Sequence, residues 1–291
     1  MSDQTLFLSN SAAGSADDEV VTQVLALLRE GFDVVSAGPE TPAELEATLA
    51  PFRGDRIIVG GGDGSLHLLV NALGGLGRLE DIAVGLVPLG TGNDFAAAAG
   101  IPAEPLAAAR RCLDGEPTTV DVIRADDGEY VVNAAHAGVG AVAAERAQGV
   151  KAFAGRLAYP LGAIQAAATE AGWAVTLQLD GEGIFQGDML LTMVANGSRI
   201  GGGTHLEPNA DPFDGMIDVL LIEALPLHER PGLGLDLQRG THLERSDVHH
   251  WRGRQLHLQG TDISHNRDGE LRHGLADVTY TIQPAAWRLL R

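Results

Sequence analysis

The sequence predicts an α/β domain built on a parallel sheet, followed by a mostly antiparallel, β-rich domain. Three observations carry that prediction. Over the first 120 or so residues, apolar strand-like runs alternate with amphipathic helical runs, the signature of βαβ units. After "TTVDVIRADDGEYVVNAA" (118–135), apolar residues alternate with a period of two and turn residues break the runs. The chain has 291 residues, enough for about two domains. The boundaries that follow are 1–122 for the first domain and 123–274 for the second, with 275–291 returning to the first as a strand.

Each element has its own signal. "TLFLS" (5–9) reads as the first strand and "DDEVVTQVLALLRE" (17–30) as an amphipathic helix. "FDVVSA" (32–37) is the next strand. In "TPAELEATLA" (41–50), Thr41 is placed as N-cap, Pro42 stands at the first helical position and Glu44 completes a capping box. "RIIVG" (56–60) is an apolar strand that runs into a glycine turn, and "SLHLLVNAL" (65–73) is the helix behind it. "IAVGLVP" (82–88) is a strand, and "IPAEPLAAARRCL" (101–113) carries a helix. An Ala-rich helical stretch at roughly 141–171 precedes the β-rich segments 173–197, 215–223 and 254–260. A smaller helix near 226–239 interrupts them, and "ADVTYTIQPAAWRLL" (276–290) is the returning strand.

Composition narrows the function. Hydrophobic residues make up 45% of the chain and aromatics only 4%, so aliphatic side chains must fill the cores. A net charge of -19 argues against nucleic-acid binding, which needs a basic footprint, and against docking on anionic lipid through general charge. The single cysteine, Cys112, cannot form an internal disulfide and reads as a small apolar residue on a helix flank. "MSDQTLFLSN" is too short and polar for a signal peptide, and no stretch approaches the roughly 18 to 20 apolar residues of a membrane span. The expectation is a soluble, cytoplasmic protein.

In an open parallel sheet, ligands bind beyond the carboxyl ends of the strands. Two glycine-rich loops fall at that edge. The first, in "VGGGDGSLHLLVNAL" (59–73), sets Gly60, Gly61, Gly62 and Gly64 around Asp63, the only charge there. Glycines permit backbone angles that other residues avoid and let a ligand touch the main chain. The N-terminus of the following helix offers free N–H groups to a phosphate. The second loop, in "LVPLGTGNDFAAAAGIP" (86–102), has Gly90 and Gly92 around Thr91, with Asn93-Asp94 leading into a helix. Loops on adjacent strands can converge on one nucleotide, where Asp63 and Asp94 would hold Mg²⁺ through oxygen, directly or through water. The plain alternative is two turns, each with a helix-capping aspartate.

"GGDGS" (61–65) followed by "PLGTGNDFA" (88–96) resembles the diacylglycerol kinase catalytic domain in its bacterial lipid-kinase form. "SNSAAG" (9–14), "VANGSRIGGGTHLEPNADPFDGMIDVLLI" (194–222) and "NRDGEL" (266–271) extend the resemblance in the family's order. The resemblance implies an α/β nucleotide-binding domain and a β-sandwich-like second domain, with the active site in the cleft. It implies an ATP-dependent, Mg²⁺-dependent kinase that phosphorylates a lipid hydroxyl, with transient membrane-surface contact at the inner face. It leaves a homodimer open.

Carried over residue by residue, the resemblance implies that Asn10, Thr41, Gly61, Gly62, Gly64, Ser65 and Thr91 contact the nucleotide. Asp63 and Asp94 would sit near the catalytic Mg²⁺. Asp214 resembles a ligand of a second, structural Mg²⁺, helped by the carbonyls of Asp211 and Met216. Asp268 and Glu270 resemble the catalytic turn, and one of them would take the proton from the acceptor hydroxyl. The sequence does not choose between them. The glutamates of the other Asp-Gly turns, Glu129 and Glu182, read as solvated hairpin residues. Two alternatives remain: phosphorylation of a soluble dinucleotide, as by NAD kinase, and a catalytically weakened regulatory or lipid-binding homologue. The second is suggested by His67-Leu68, where the family often has Asn-Glu, and by Ser11 in place of a proline in the first loop. The late histidines (His242, His249, His250, His257, His265, His273) match no zinc spacing.

Overall fold

A computed structural model describes residues 4–9, 15–142 and 170–291. Asn10 and most of the helical stretch expected at 141–171 lie outside the described residues. Strands β1 (Gln4–Ser9), β2 (Asp33–Ala37), β3 (Arg56–Gly61) and β4 (Ala83–Pro88) pair in parallel in the order β4-β3-β1-β2. They alternate with α1 (Ser15–Leu28), α2 (Pro42–Leu49) and α3 (Asp63–Gly75) and are followed by α4 (Asp94–Ala98) and α5 (Pro105–Asp114).

Helices cover both faces of this sheet, so all six residues of β4 are buried. On one face, Leu66, Leu69 and Leu73 of α3 pack with Ile57, Val59 and Val84. On the other, Val24 and Leu28 of α1 and Cys112 of α5 pack with Phe7, Ile58 and Val87. Cys112 is thus a small core residue, and burial pushes its thiol up to about 12. The cap of α2 is as its sequence dictates: Thr41 Oγ accepts from Glu44 N at 3.2 Å, and the Glu44 carboxylate accepts from Glu40 N at 2.8 Å.

The second half is antiparallel. It contains β5 (Pro117–Ala125), β6 (Tyr130–Val131), β7 (Ala134–Gly138), β8 (Trp173–Leu179), β9 (Glu182–Ala195) and the short pair β10 (Arg199–Ile200) and β11 (Thr204–His205). β12 (Ile217–Glu223), α6 (Arg230–Arg239), β13 (Val248–Gly253), β14 (Gln255–Arg267) and β15 (Glu270–Leu290) complete it. The order is β13-β12-β9-β7-β14-β15, and β8 also pairs with both β9 and β14. Among the described residues, no helix is long and apolar enough to cross a membrane.

β15 joins the two halves. Its first part pairs antiparallel with β14, and its last residues, Arg288 and Leu289, pair in parallel with Ala83 and Val84 of β4. β5 accompanies it along the other edge, with a register shift between Gln283 and Trp287 and Ala285 at φ 51°. Asp121 holds this bend. Its carboxylate accepts from Ala285 N at 2.7 Å and Gly215 N at 2.6 Å, and its carbonyl accepts from the Trp287 indole at 3.3 Å. Trp287 is fully buried, 5.7 Å from the Phe95 ring. Asp121→Ala removes the acceptor of both the Ala285 and Gly215 N–H groups, so it should cost about 1 to 3 kcal/mol of stability in urea unfolding; a loss below about 0.5 kcal/mol would contradict this role.

Candidate active site

The two glycine loops lie side by side at the carboxyl ends of β3 and β4, and they touch glycine to glycine. A Cβ on Gly90 would stand 2.5 Å from Gly62 Cα, and one on Gly61 would stand 2.4 Å from Ser65 Oγ. None of the glycines at 60–64 or 90–92 has a positive φ. The expectation that they supply unusual backbone angles is therefore corrected: these glycines permit close approach. The left-handed residue is Asn93 at φ 55°, whose amide accepts from Gly90 N at 3.1 Å and donates to Gly90 O at 2.8 Å. Gly64 differs from its neighbours, since a Cβ there would meet nothing within 4 Å.

Asp63 does not cap its own helix. The N-cap of α3 is Gly62, which has no side chain to give, so the first-turn N–H groups have no helical partner. The Asp63 carboxylate reaches across and accepts from Asp94 N at 3.0 Å and Phe95 N at 2.9 Å, capping α4 of the other loop. Burial pushes this carboxyl above its ordinary range, and the negative Asp94 and Asp268 add to that against the two N–H bonds. Asp94 is buried. Its Oδ2 accepts from Gly202 N at 2.8 Å, in a run where Gly201, Gly202 and Gly203 all have positive φ. Its Oδ1 is buried without a hydrogen-bond partner.

Thr41 and Ser65 line one pocket beside these loops, together with Ser9, Gly60 and Leu68. Thr91 stands exposed at the tip of the second loop.

The late turn reaches the same place from β14 and β15. Asp268, at φ 50°, accepts from Val132 N at 2.6 Å, Asn133 N at 2.9 Å and Ala134 N at 3.0 Å. The same carboxylate lies 3.0 Å from His67 Nδ1, so its acceptor positions are filled. Glu270, two residues on, is exposed, and its side chain makes no hydrogen bond or ion pair among the described residues. Sequence reasoning left His67 as a departure from a pattern and Glu129 as a solvated hairpin residue. The second expectation is corrected. The hairpin between β5 and β6 folds against α3 and β15, leaving the Glu129 side chain 13% exposed. It pairs with Arg267 and Arg272, each at 2.7 Å, and lies 3.5 Å from His67 Nε2. Glu182 is exposed.

The turn at 211–216 lies apart from this cluster. Asp211 accepts from Phe213 N, and Asp214 accepts from Met216 N at 3.0 Å while its other oxygen pairs with Arg252. In this structure the Arg252 guanidinium is the partner of Asp214, which leaves the expectation of a structural Mg²⁺ on Asp211, Asp214 and Met216 as it stood. Among the described residues, no group of three or more His, Cys, Asp or Glu side chains is placed to hold a metal ion.

Two glycine loops cross-capped by one aspartate thus stand over a parallel sheet that is joined to an antiparallel, β-rich part. Residues 4–125 match the diacylglycerol kinase catalytic domain, and residues 133–291 match the YegS C-terminal NAD kinase beta sandwich-like domain. The chain belongs to the diacylglycerol kinase family. It is 34% identical over 218 residues to a probable lipid kinase YegS-like of Shewanella frigidimarina, covering 74% of this chain and 70% of that one. It is 31% identical over 237 residues to the diacylglycerol kinase of Bacillus subtilis, covering 80% and 76%. A solved structure of a putative diacylglycerol kinase from Bacillus anthracis shares the fold at TM-score 0.84 and 22% identity, covering 99% of this chain and 95% of that one. An NAD kinase from Archaeoglobus fulgidus shares it more distantly, at TM-score 0.55 and 13% identity, covering 99% and 93%.

The charges around His67 give a pH dependence. Burial by itself lowers the imidazole, but its contacts with Asp268 and Glu129 push it up to about 9. A raised pKa stabilises the fold fully below the ordinary value of 6.5, and that contribution is lost as pH rises through about 9. Glu129 is held down at about 2: burial raises it, but His67, Arg267 and Arg272 outweigh that. Its contribution is lost only as pH falls through that value. Urea midpoints should therefore fall between pH 6.5 and 9 more steeply for the native chain than for His67→Leu. Identical slopes would show that His67 is not charged in the folded state.

Proposed function

We propose that the chain is an ATP-dependent, Mg²⁺-dependent lipid kinase that transfers the γ-phosphoryl group to a hydroxyl of a diacylglycerol-like lipid. The carrying observation is the juxtaposition of the cross-capped glycine loops with an anchored turn that presents one unpaired carboxylate, Glu270. The names of the relatives support the lipid acceptor. In this reading the α/β part, 1–122 with 275–291, holds ATP, and 123–274 supplies the acceptor side.

The first-turn N–H groups of α3 take phosphate oxygens, since the helix N-terminus favours negative charge and Gly64 leaves space there. Ser65 and Thr41 provide hydroxyls at the adjoining pocket, and Thr91 provides one at the tip of the second loop. Asp94 Oδ1, a buried oxygen without a partner, suits a hard cation or its water, with Asp63 beside it. Mg²⁺ bound there supplies neutralisation of phosphate charge during transfer. Asp63 keeps the loops in register. Glu270 takes the proton of the acceptor hydroxyl, because a base must be free to accept it. The Asp268 carboxylate is saturated and serves to position the turn.

Transfer of label from γ-labelled ATP to diacylglycerol in mixed micelles, with NAD as a parallel acceptor, tests the reading. Glu270→Gln should lower turnover by about 10²- to 10⁴-fold while ATP still binds. Asp268→Asn replaces an acceptor that takes three N–H bonds, so it should lower both turnover and stability. Wild-type turnover in Glu270→Gln would overturn the base assignment, and label entering NAD rather than lipid would overturn the acceptor class.

A further inference from the structure

We propose that His67 is a positioning residue of the transfer site: carried on α3, directly behind the first glycine loop, it grips Asp268 and so sets where Glu270 stands. The inference deepens the kinase reading and rests on it. The contact joins residues 201 apart in the chain and unites the phosphate-side helix with the base-bearing turn. His67 is buried, at 4% exposure.

A carboxylate can only accept, which fixes the direction of the contact to Asp268. Asp268 Oδ2 is a carboxylate oxygen, so Nδ1, at 3.0 Å, must donate to it. Nε2 faces Glu129 Oε1 at 3.5 Å. Asn71 lies against the ring but gives its two N–H bonds elsewhere, to His67 O and Tyr130 O, both at 2.9 Å. Both ring nitrogens thus face carboxylates, a setting that suits imidazolium. Behind Glu129 stand Arg267 and Arg272, and Arg267 also holds Asp127 at 2.6 Å. Asp63 lies one helical turn before His67, and its charge couples to Asp268. His136, on β7, couples to Asp268 as well and is kept neutral by burial, down to about 4.

The other donors to Asp268 are the backbone N–H groups of 132–134, a segment that α3 meets through Asn71, which accepts from Tyr130 N at 2.8 Å and donates to Tyr130 O at 2.9 Å, and not through Asp268 itself. Among the described residues, His67 supplies the side-chain hydrogen bond that ties Asp268 to α3, and α3 also begins with Asp63. Without it, the separation between the phosphate loops and Glu270 is no longer fixed by a direct contact. A misplacement of about 1 Å in such a site can cost roughly 100-fold in rate.

Three substitutions separate the two ring contacts. The amide nitrogen of His67→Asn reaches where Nδ1 stands and keeps the bond to Asp268. His67→Gln reaches toward Glu129 and gives up Asp268. His67→Leu keeps neither. In the γ-labelled ATP assay with diacylglycerol micelles, the Leu and Gln variants should lose about 10- to 100-fold in kcat with the KM for ATP changed little, and Asn should recover most of it. Amide exchange at Val132, Asn133, Ala134 and Gly269 should be faster by about 10-fold in Leu and Gln than in the native chain, and near native in Asn. If the Leu variant does not fold, the Asn and Gln pair decides. Native kcat and exchange in Gln, or equal loss in Asn and Gln, would overturn the assignment. A native chain that labels no lipid would instead overturn the kinase reading, and the exchange comparison would still decide whether His67 holds the turn.

Discussion

The carboxylate of Asp63 accepts hydrogen bonds from the backbone of Asp94 and Phe95, and the geometry of the site depends on that bridge. A glycine loop alone is soft. Two of them packed Cα against Cα leave no room for side chains that could lock them together, as the crowding between Gly62 and Gly90 shows. The lock must come from a group long enough to reach and able to take two N–H donors at once. A carboxylate at the first position of α3 meets both needs. Its cost is burial of a charge, visible in the raised pKa of Asp63. The bonds from the α4 N-terminus offset part of that cost.

A second carboxylate does the same work for the late turn. Asp268 gathers three backbone N–H groups and an imidazole, so the strained residue at φ 50° is held from four directions. The adjacent Glu270 then projects from a fixed base without needing partners of its own. β15 continues from that turn to the edge of β4, and Asp121 braces the bend along the way. The 268–270 turn and the parallel sheet are therefore parts of one continuous strand path, which limits how far one can drift from the other.

The α/β half was legible because its signals are local. Alternating strands and helices, the Thr41–Glu44 cap and the two glycine loops all appear within short windows of sequence, and their boundaries shifted by only a few residues. The candidate site residues Asp63 and Asp94 likewise stand out as acids in glycine loops, whereas Asp268 is singled out among several Asp-Gly turns only by the order of the family's motifs. Their partners were not legible. Nothing in the local sequence says that Asp63 caps the helix of a different loop, or that His67 meets a residue 201 positions away. Glu129 looked like a surface glutamate because its hairpin resembles any Asp-Gly turn; only the packing of that hairpin against Arg267 and Arg272 makes it part of the cluster. Asp121 sat in an ordinary strand pattern, and its role arises from a bend in a strand more than 160 residues later. The pairing of Asp214 with Arg252 is equally non-local, and no motif could have announced it.

The central claim is that the two loops form one phosphate site held together by Asp63. Amide hydrogen exchange with and without Mg²⁺-ATP tests it most directly. Residues 61–65 and 90–95 should gain protection together at the same ATP concentration in the native chain, and in Asp63→Ala the two segments should lose that joint response. Protection confined to one loop, or joint protection that survives removal of the Asp63 carboxylate, would contradict the account.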